Sequence, residues 1–214
     1  MTDKQTISLL DEGCWDRACA ELGQRDPVMQ KLIATSGKDR LQTRGDPFQT
    51  LVRSIVGQQI SVKAADSIWK RFLLVCPDTS PEEILTASAE MLSGAGLSRR
   101  KVEYLKDLAF HFVERKIQAD QWSEMTDEDI IADLTQVRGI GRWTAEMFLI
   151  FNLLRPNVLP ADDVGLLKGI SMSYFSGEGI GQNDVRKIAA NWEPWCTVAT
   201  WYLWRSLTPL PVEY

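Results

Sequence analysis

The chain has 214 residues, 44% hydrophobic and 25% charged, which suits one large domain or two small lobes with a shared core. No apolar run approaches the roughly 18 residues of a membrane span, and the opening MTDKQTISLLDEG lacks the basic start and long apolar stretch of a signal peptide. A net charge of −5 and a pI of about 5.0 argue against a nonspecific nucleic-acid binder and leave a soluble cytosolic protein as the default.

Residues 1–12 read as a frayed start. A helix is predicted from Asp11 to about Gly23, with Trp15, Ala18, Cys19 and Leu22 at helical spacing. Asp26-Pro27 opens a second helix that stops near Gly37, the aspartate as N-cap and the proline in the first turn. Asp46-Pro47 repeats the device ahead of an apolar stripe at Phe48, Leu51, Val52, Ile55 and Val56. Gly57-Gln58-Gln59-Ile60 interrupts that stripe, and Ser61 caps the next helix. Ser80-Pro81-Glu82-Glu83 is a further helix start, and Gly94 and Gly96 break the chain. Ser98-Arg99-Arg100-Lys101 opens a helix to about Lys116. This basic cluster reads as a DNA contact or, equally well, as a solvated helix start. Thr126 starts another helix. Val164 to Ile170 is helical, Asn183 is read as the cap of a helix through Ile188, and Pro194 as the opening of a last helix to about Leu207. Nothing alternates as a strand would, so the prediction is an all-α protein.

Charge is spread unevenly. Asp120 to Asp133 holds six acids and no Lys or Arg, whereas Lys38 to Arg71 has seven bases against three acids. A neutral or basic face is therefore compatible with the acidic whole. The four cysteines, Cys14, Cys19, Cys76 and Cys196, form no metal-ligand pattern. His111 is the only histidine, which removes most zinc and His-based catalytic schemes.

The most informative stretch is LTQVRGIGRWTAEMFLIFNLLRPNVLPADDVGLLK, Leu134 to Lys168. A helix runs into Gly139-Ile140-Gly141, and a second is predicted from Arg142 to about Leu154. The turn exposes backbone N–H groups at a helix start, which suits an anion. A short link then delivers Asp162 and Asp163 to a further helix. Two other blocks stand out: Ile55-Val56-Gly57-Gln58-Gln59-Ile60-Ser61 upstream and Trp192-Glu193-Pro194-Trp195 downstream.

Together with Val137-Arg138-Gly139-Ile140-Gly141-Arg142-Trp143-Thr144-Ala145 and Leu159-Pro160-Ala161-Asp162-Asp163, these blocks resemble the helix-hairpin-helix (HhH-GPD) DNA glycosylases, and among them the 3-methyladenine DNA glycosylase II family. The resemblance runs from about Asp46 to Leu207. It implies two helical lobes around a DNA-binding cleft, drawn approximately as 48–160 and as 1–47 plus 161–214. Some relatives carry an N-terminal α/β domain; the helical reading of the first 45 or so residues implies that it is absent here. Others carry a four-cysteine iron–sulfur cluster near the C-terminus. Only Cys196 lies there, so no cluster is expected.

The resemblance also assigns roles. Asp163 matches the catalytic aspartate, with Asp162 as neighbour or helix cap; on spacing alone, capping would be the commoner role for either. A carboxylate there stabilises the oxocarbenium-like charge of glycosidic cleavage. Trp143 stands where relatives that nick the backbone have a lysine, which implies a monofunctional enzyme and an aromatic wall for a cationic base. Trp204 matches another pocket aromatic. Met147 replaces an aromatic found in some relatives, which leaves pocket shape and substrate range open. Gln59, or alternatively Ile60, matches the wedge that fills the gap left by an extruded nucleotide. Gly139, Gly141 and Thr144 would offer N–H groups to a phosphate. The carbonyls of Thr135, Val137 and Ile140 match those that hold a Na+ or K+ ion in related hairpins.

The implied function is excision of alkylated purines, 3-methyladenine and 7-methylguanine, from damaged double-stranded DNA, with no catalytic cofactor. The expected protein is a monomer away from membranes, at the nucleoid in a bacterium or in the nucleus of a eukaryote. Two alternatives stay open: a related glycosylase with another damaged-base preference, and a noncatalytic hairpin module that only binds DNA.

Overall fold

The computed structural model describes residues 10–37 and 39–208. Of the frayed start expected at residues 1–12, residues 1–9 lie outside that range, as does Lys38 of the basic run; Leu10 is buried and Asp11 caps a helix that begins at Glu12. Among the described residues there is no strand, and no helix is long and apolar enough to cross a membrane.

The helices follow in order: α1 (Glu12–Arg25), α2 (Pro27–Thr35), α3 (Pro47–Gly57), α4 (Val62–Val75), α5 (Pro81–Thr86), α6 (Ala89–Gly94), α7 (Arg99–Val113), α8 (Asp127–Thr135), α9 (Arg142–Phe151), α10 (Val164–Tyr174), α11 (Gln182–Ala189) and α12 (Cys196–Leu207). Most starts are written in the sequence as a short polar side chain that accepts from an amide of the first turn. Asp46 accepts from Gln49 N, Ser61 from Ala64 N, Ser98 from Lys101 N and Thr126 from Asp129 N. Asp26 closes α1 and caps α2 at once.

Several boundaries differ from the sequence reading. Ser88 caps a separate helix, so the segment after Ser80 is two short helices. Helix α9 stops at Phe151, short of Leu154. Leu154 takes a left-handed backbone, φ 50°, and the Arg155 amide closes back on the Leu149 carbonyl at 2.9 Å. Such a C-terminal turn is normally marked by glycine, and here no glycine marks it. Helix α10 runs on to Tyr174, beyond Ile170. Asn183 does not cap α11: Gly181 holds that position, and its amide donates to Asp184 at 3.1 Å. Helix α12 begins at Cys196, two residues after the cis proline Pro194.

The described residues divide into two compact units, 44–148 and 10–43 with 149–208, with the break inside α9. In the first, the α3 stripe of Phe48, Leu51, Val52, Ile55 and Val56 is buried, and α3 packs on α4 and α7. Phe112 lies edge-on to both Phe48 and Trp122, and Trp122 to Phe148. In the second, α12 packs on α1, α2 and α10. The Asp26 carboxylate also accepts from Tyr174 Oη at 2.6 Å and Trp192 Nε1 at 3.2 Å, tying α2 to the segments around α10 and α12. Six of the eight tryptophans are buried; Trp143 is 38% exposed, the most open large aromatic of the hairpin region.

Candidate nucleic-acid interface and active site

In the unit 44–148, α8 ends at Thr135 and the chain turns through 136–141 into α9. The Ile140 amide bonds to the Val137 carbonyl at 3.1 Å, and the Gly141 carbonyl accepts from Ala145 N at 3.0 Å. Among the described residues, the amides of Gly139 and Gly141 meet no acceptor. Gly139 has φ 88°, and a Cβ there would lie 2.2 Å from the Tyr104 ring, so only glycine fits. Gly141 meets no such obstacle. Thr144 is buried in the first turn of α9. The result is a compact turn with unspent donors at a helix N-terminus, an arrangement that holds an oxyanion.

Side chains beside the turn are already engaged. The Arg138 amide donates to Asp107 Oδ2 at 2.8 Å, and its guanidinium lies 3.4 Å from Asp107 Oδ1. Arg142 pairs with Glu128 and, at 3.0 Å, with Glu146. The Glu128 hydrogen bond raises the arginine's pKa and keeps Glu128 below the usual carboxylate range. An anion at this turn therefore relies on backbone donors. As for a cation, the Val137 carbonyl already accepts from Ile140, and Thr135 closes α8, leaving its carbonyl among the helix's terminal ones.

The GQQIS segment lies against the same turn. Gln58 Nε2 donates to the Gly139 carbonyl at 2.8 Å. Gln59 is exposed with a left-handed backbone, φ 59°, and Ile60 is 38% exposed. Arg53, Gln58, Gln59, Ile60, Tyr104 and Trp143 line a groove of about 530 Å³, together with Gly139 and Thr144, within the roughly 300–1,000 Å³ of ligand pockets. Met147 is buried and does not line this groove. Lys101, from the basic cluster, donates its amine to the Val56 carbonyl at 2.7 Å, and Arg99 pairs with Glu103. That cluster is thus partly built into the fold.

The unit 10–43 with 149–208 holds the aspartates. Asp163 is 5% exposed. Its Oδ1 accepts from Leu166 N at 2.7 Å and from Trp204 Nε1 at 2.8 Å. Trp204 is buried and stacks on Phe151 with centroids 5.7 Å apart. Gly165 allows this approach, since a Cβ there would meet Asp163 and Trp204 at 3.0 and 3.1 Å. Asp163 thus caps α10 itself. Asp162, expected as cap or neighbour, is exposed and bonds to the Gln182 side chain. Reaching over α10 to a tryptophan 41 residues away is a contact that no local pattern announces. A carboxylate held by two N–H donors in a sheltered site is suited to oppose positive charge. Among the described residues, no three His, Cys, Asp or Glu side chains cluster to hold a metal.

The sequence reading did not single out Gln58, Tyr104 or Asp107. Each acts across a long stretch of chain, on a partner that local pattern cannot name.

The chain is similar to known proteins over most of its length. Residues 52–194 match the family model described as HhH-GPD superfamily base excision DNA repair protein. The chain is 34% identical over 180 residues to DNA-3-methyladenine glycosylase 1 of Schizosaccharomyces pombe, covering 82% of this chain and 79% of that one. It resembles the crystal structure of DNA-3-methyladenine glycosidase from Bacillus halodurans, with TM-score 0.84, 36% identity and 89% of each chain covered. It also resembles the 3-methyladenine DNA glycosylase Mag1 of S. pombe in complex with abasic DNA, with TM-score 0.79 and 31% identity, over 92% of this chain and 100% of that one.

Proposed function

Since this chain belongs to the HhH-GPD superfamily of base excision DNA repair proteins, we propose that it is a DNA N-glycosylase that removes alkylated purines of the 3-methyladenine and 7-methylguanine type from double-stranded DNA. The observation that carries this reading is the sheltered Asp163 carboxylate, in a chain that also presents a hairpin turn with free N–H donors.

In this reading the hairpin grips a phosphate through backbone amides. Gln59, with Ile60 beside it, enters the stack as the damaged nucleotide leaves it. Trp143 offers its ring to the cationic base. The bond between C1′ and the base breaks, and the base takes the electron pair. Being already cationic, it departs neutral and needs no strong acid. Asp163 opposes the charge left on the sugar and accepts a proton from the water that bonds to C1′. Trp204 and the Leu166 amide hold that carboxylate in place. Trp143 offers no amine for a Schiff base, so the reaction ends at an abasic site. A monovalent ion at the carbonyls of Thr135, Val137 and Ile140 would stiffen the hairpin and add positive field toward the phosphate; no chemical step depends on it. The activity belongs where the chromosome is, in nucleoid or nucleus.

The test is incubation of the protein with dimethyl sulfate-treated duplex. Free 3-methyladenine and 7-methylguanine are expected, with strand breaks only after alkali. Borohydride added during turnover should trap no protein–DNA adduct. An adduct lost in Lys168→Ala would overturn the monofunctional reading. Absence of base release across alkylated, deaminated and oxidised substrates would leave only the binding-module alternative.

A further inference from the structure

One side of α7 organises two separate turns of the unit 44–148. Lys101, Tyr104 and Asp107 recur along it at intervals of three. Lys101 fixes the end of α3, just before the GQQIS turn, through the Val56 carbonyl at 2.7 Å. Tyr104 closes over Gly139, and Asp107 holds the Arg138 amide at 2.8 Å. Gln58 spans the remaining distance, with its side chain on the Gly139 carbonyl at 2.8 Å. Its neighbour Gln59 sits in a left-handed conformation that a side-chain-bearing residue adopts at a cost. Surrounding contacts must hold it there.

From this geometry we infer that Gln58 is a positioning residue, whose hydrogen bond to Gly139 keeps the projecting Gln59 turn in register with the hairpin so that wedge and phosphate grip engage the same nucleotide. The inference rests on the glycosylase reading above. Its physical basis is that a misplacement of about 1 Å between two groups acting on one substrate is costly. The bond is a direct polar link between the two turns, and it runs to the carbonyl of the hairpin glycine whose Cβ would strike the Tyr104 ring.

The experiment uses a duplex with a tetrahydrofuran abasic analogue beside a 2-aminopurine, whose fluorescence reports unstacking when the wedge enters. Gln58→Glu keeps the length and shape of the side chain but faces the Gly139 carbonyl with an acceptor. Gln58→Glu and Gln58→Ala are expected to bind the abasic duplex within about threefold of wild type while losing most of the fluorescence response, and to excise paired 7-methylguanine about tenfold more slowly. In a Gln59→Ala background the Gln58→Glu change should add no more than about twofold, because no wedge is left to aim. A wild-type response from Gln58→Glu, or full additivity with Gln59→Ala, would overturn the inference. So would a general loss of abasic-duplex binding, which would assign Gln58 to the fold alone. The fluorescence readout needs no excision. A wild-type protein that gives the response yet releases no base would sink the glycosylase reading, whereas a wild-type response from Gln58→Glu in a protein that does release base would sink this inference alone.

Discussion

Asp163 serves the fold and the proposed chemistry through one side chain. Its Oδ1 caps α10 and receives the Trp204 indole N–H. An asparagine can still accept both bonds through its amide oxygen, so Asp163→Asn removes charge and little else. Excision should fall by about 10²- to 10³-fold, the usual cost of losing a preorganised electrostatic group, while affinity for an abasic-site duplex stays near wild type. Normal excision by this variant, with a dead Asp162→Asn, would move the role to the exposed neighbour. Trp204→Phe is the complementary probe. It keeps the stack on Phe151 and deletes the donor to Asp163. A loss of about tenfold in single-turnover excision is expected, the scale of one hydrogen bond to a charged group.

The hairpin separates two glycines that look alike in sequence. Gly139 has positive φ and the Tyr104 ring where a Cβ would go; Gly141 has open space. Gly139→Ala should therefore cost about 2 kcal/mol or more, seen as a drop in Tm of roughly 4–8 °C, and should weaken abasic-duplex binding about tenfold as the turn shifts its amides. Gly141→Ala should leave Tm within about 2 °C. Equal Tm losses in the two variants would contradict this account of the turn. The G-I-G pattern by itself does not tell the two glycines apart. Its first glycine is required by α7, an element that begins some forty residues earlier.

At the scale of the molecule, an acidic protein with net charge −5 is proposed to bind a polyanion. Near the hairpin and the GQQIS turn, several of the basic side chains are already committed. Arg138 is paired with Asp107, Arg142 with Glu128 and Glu146, Arg53 with Asp66, and Lys101 with a carbonyl. Binding through backbone amides releases few counterions. The log–log dependence of abasic-duplex affinity on salt should therefore correspond to roughly three phosphates or fewer. Anisotropy titrations between about 50 and 200 mM salt measure it. A slope for about six phosphates or more would mean that these ion pairs open onto the DNA.

The sequence by itself determined the all-helical class, most helix starts and the order of the motif blocks. These depend on local chemistry: a polar side chain capping its own helix, a proline in a first turn, an apolar stripe at helical spacing. It also brought Asp163, Trp143, Gln59 and the hairpin glycines forward, through resemblance. The ends of α9 at Phe151 and of α7 at Val113, short of the Lys116 that the sequence suggested, were not legible, because Leu154 and Arg115 just beyond them take the left-handed position that glycine usually marks. That Asp163, and not Asp162, caps α10 is a local contact with the Leu166 amide, but tertiary structure alone decided that the same carboxylate receives the indole N–H of Trp204, 41 residues away. It alone gave Gln58 its partner 81 residues distant, and Gly139 the ring that excludes every other residue. Local sequence encodes what a segment does with its own backbone. Which distant group it meets is fixed only when the packed helices bring the two together.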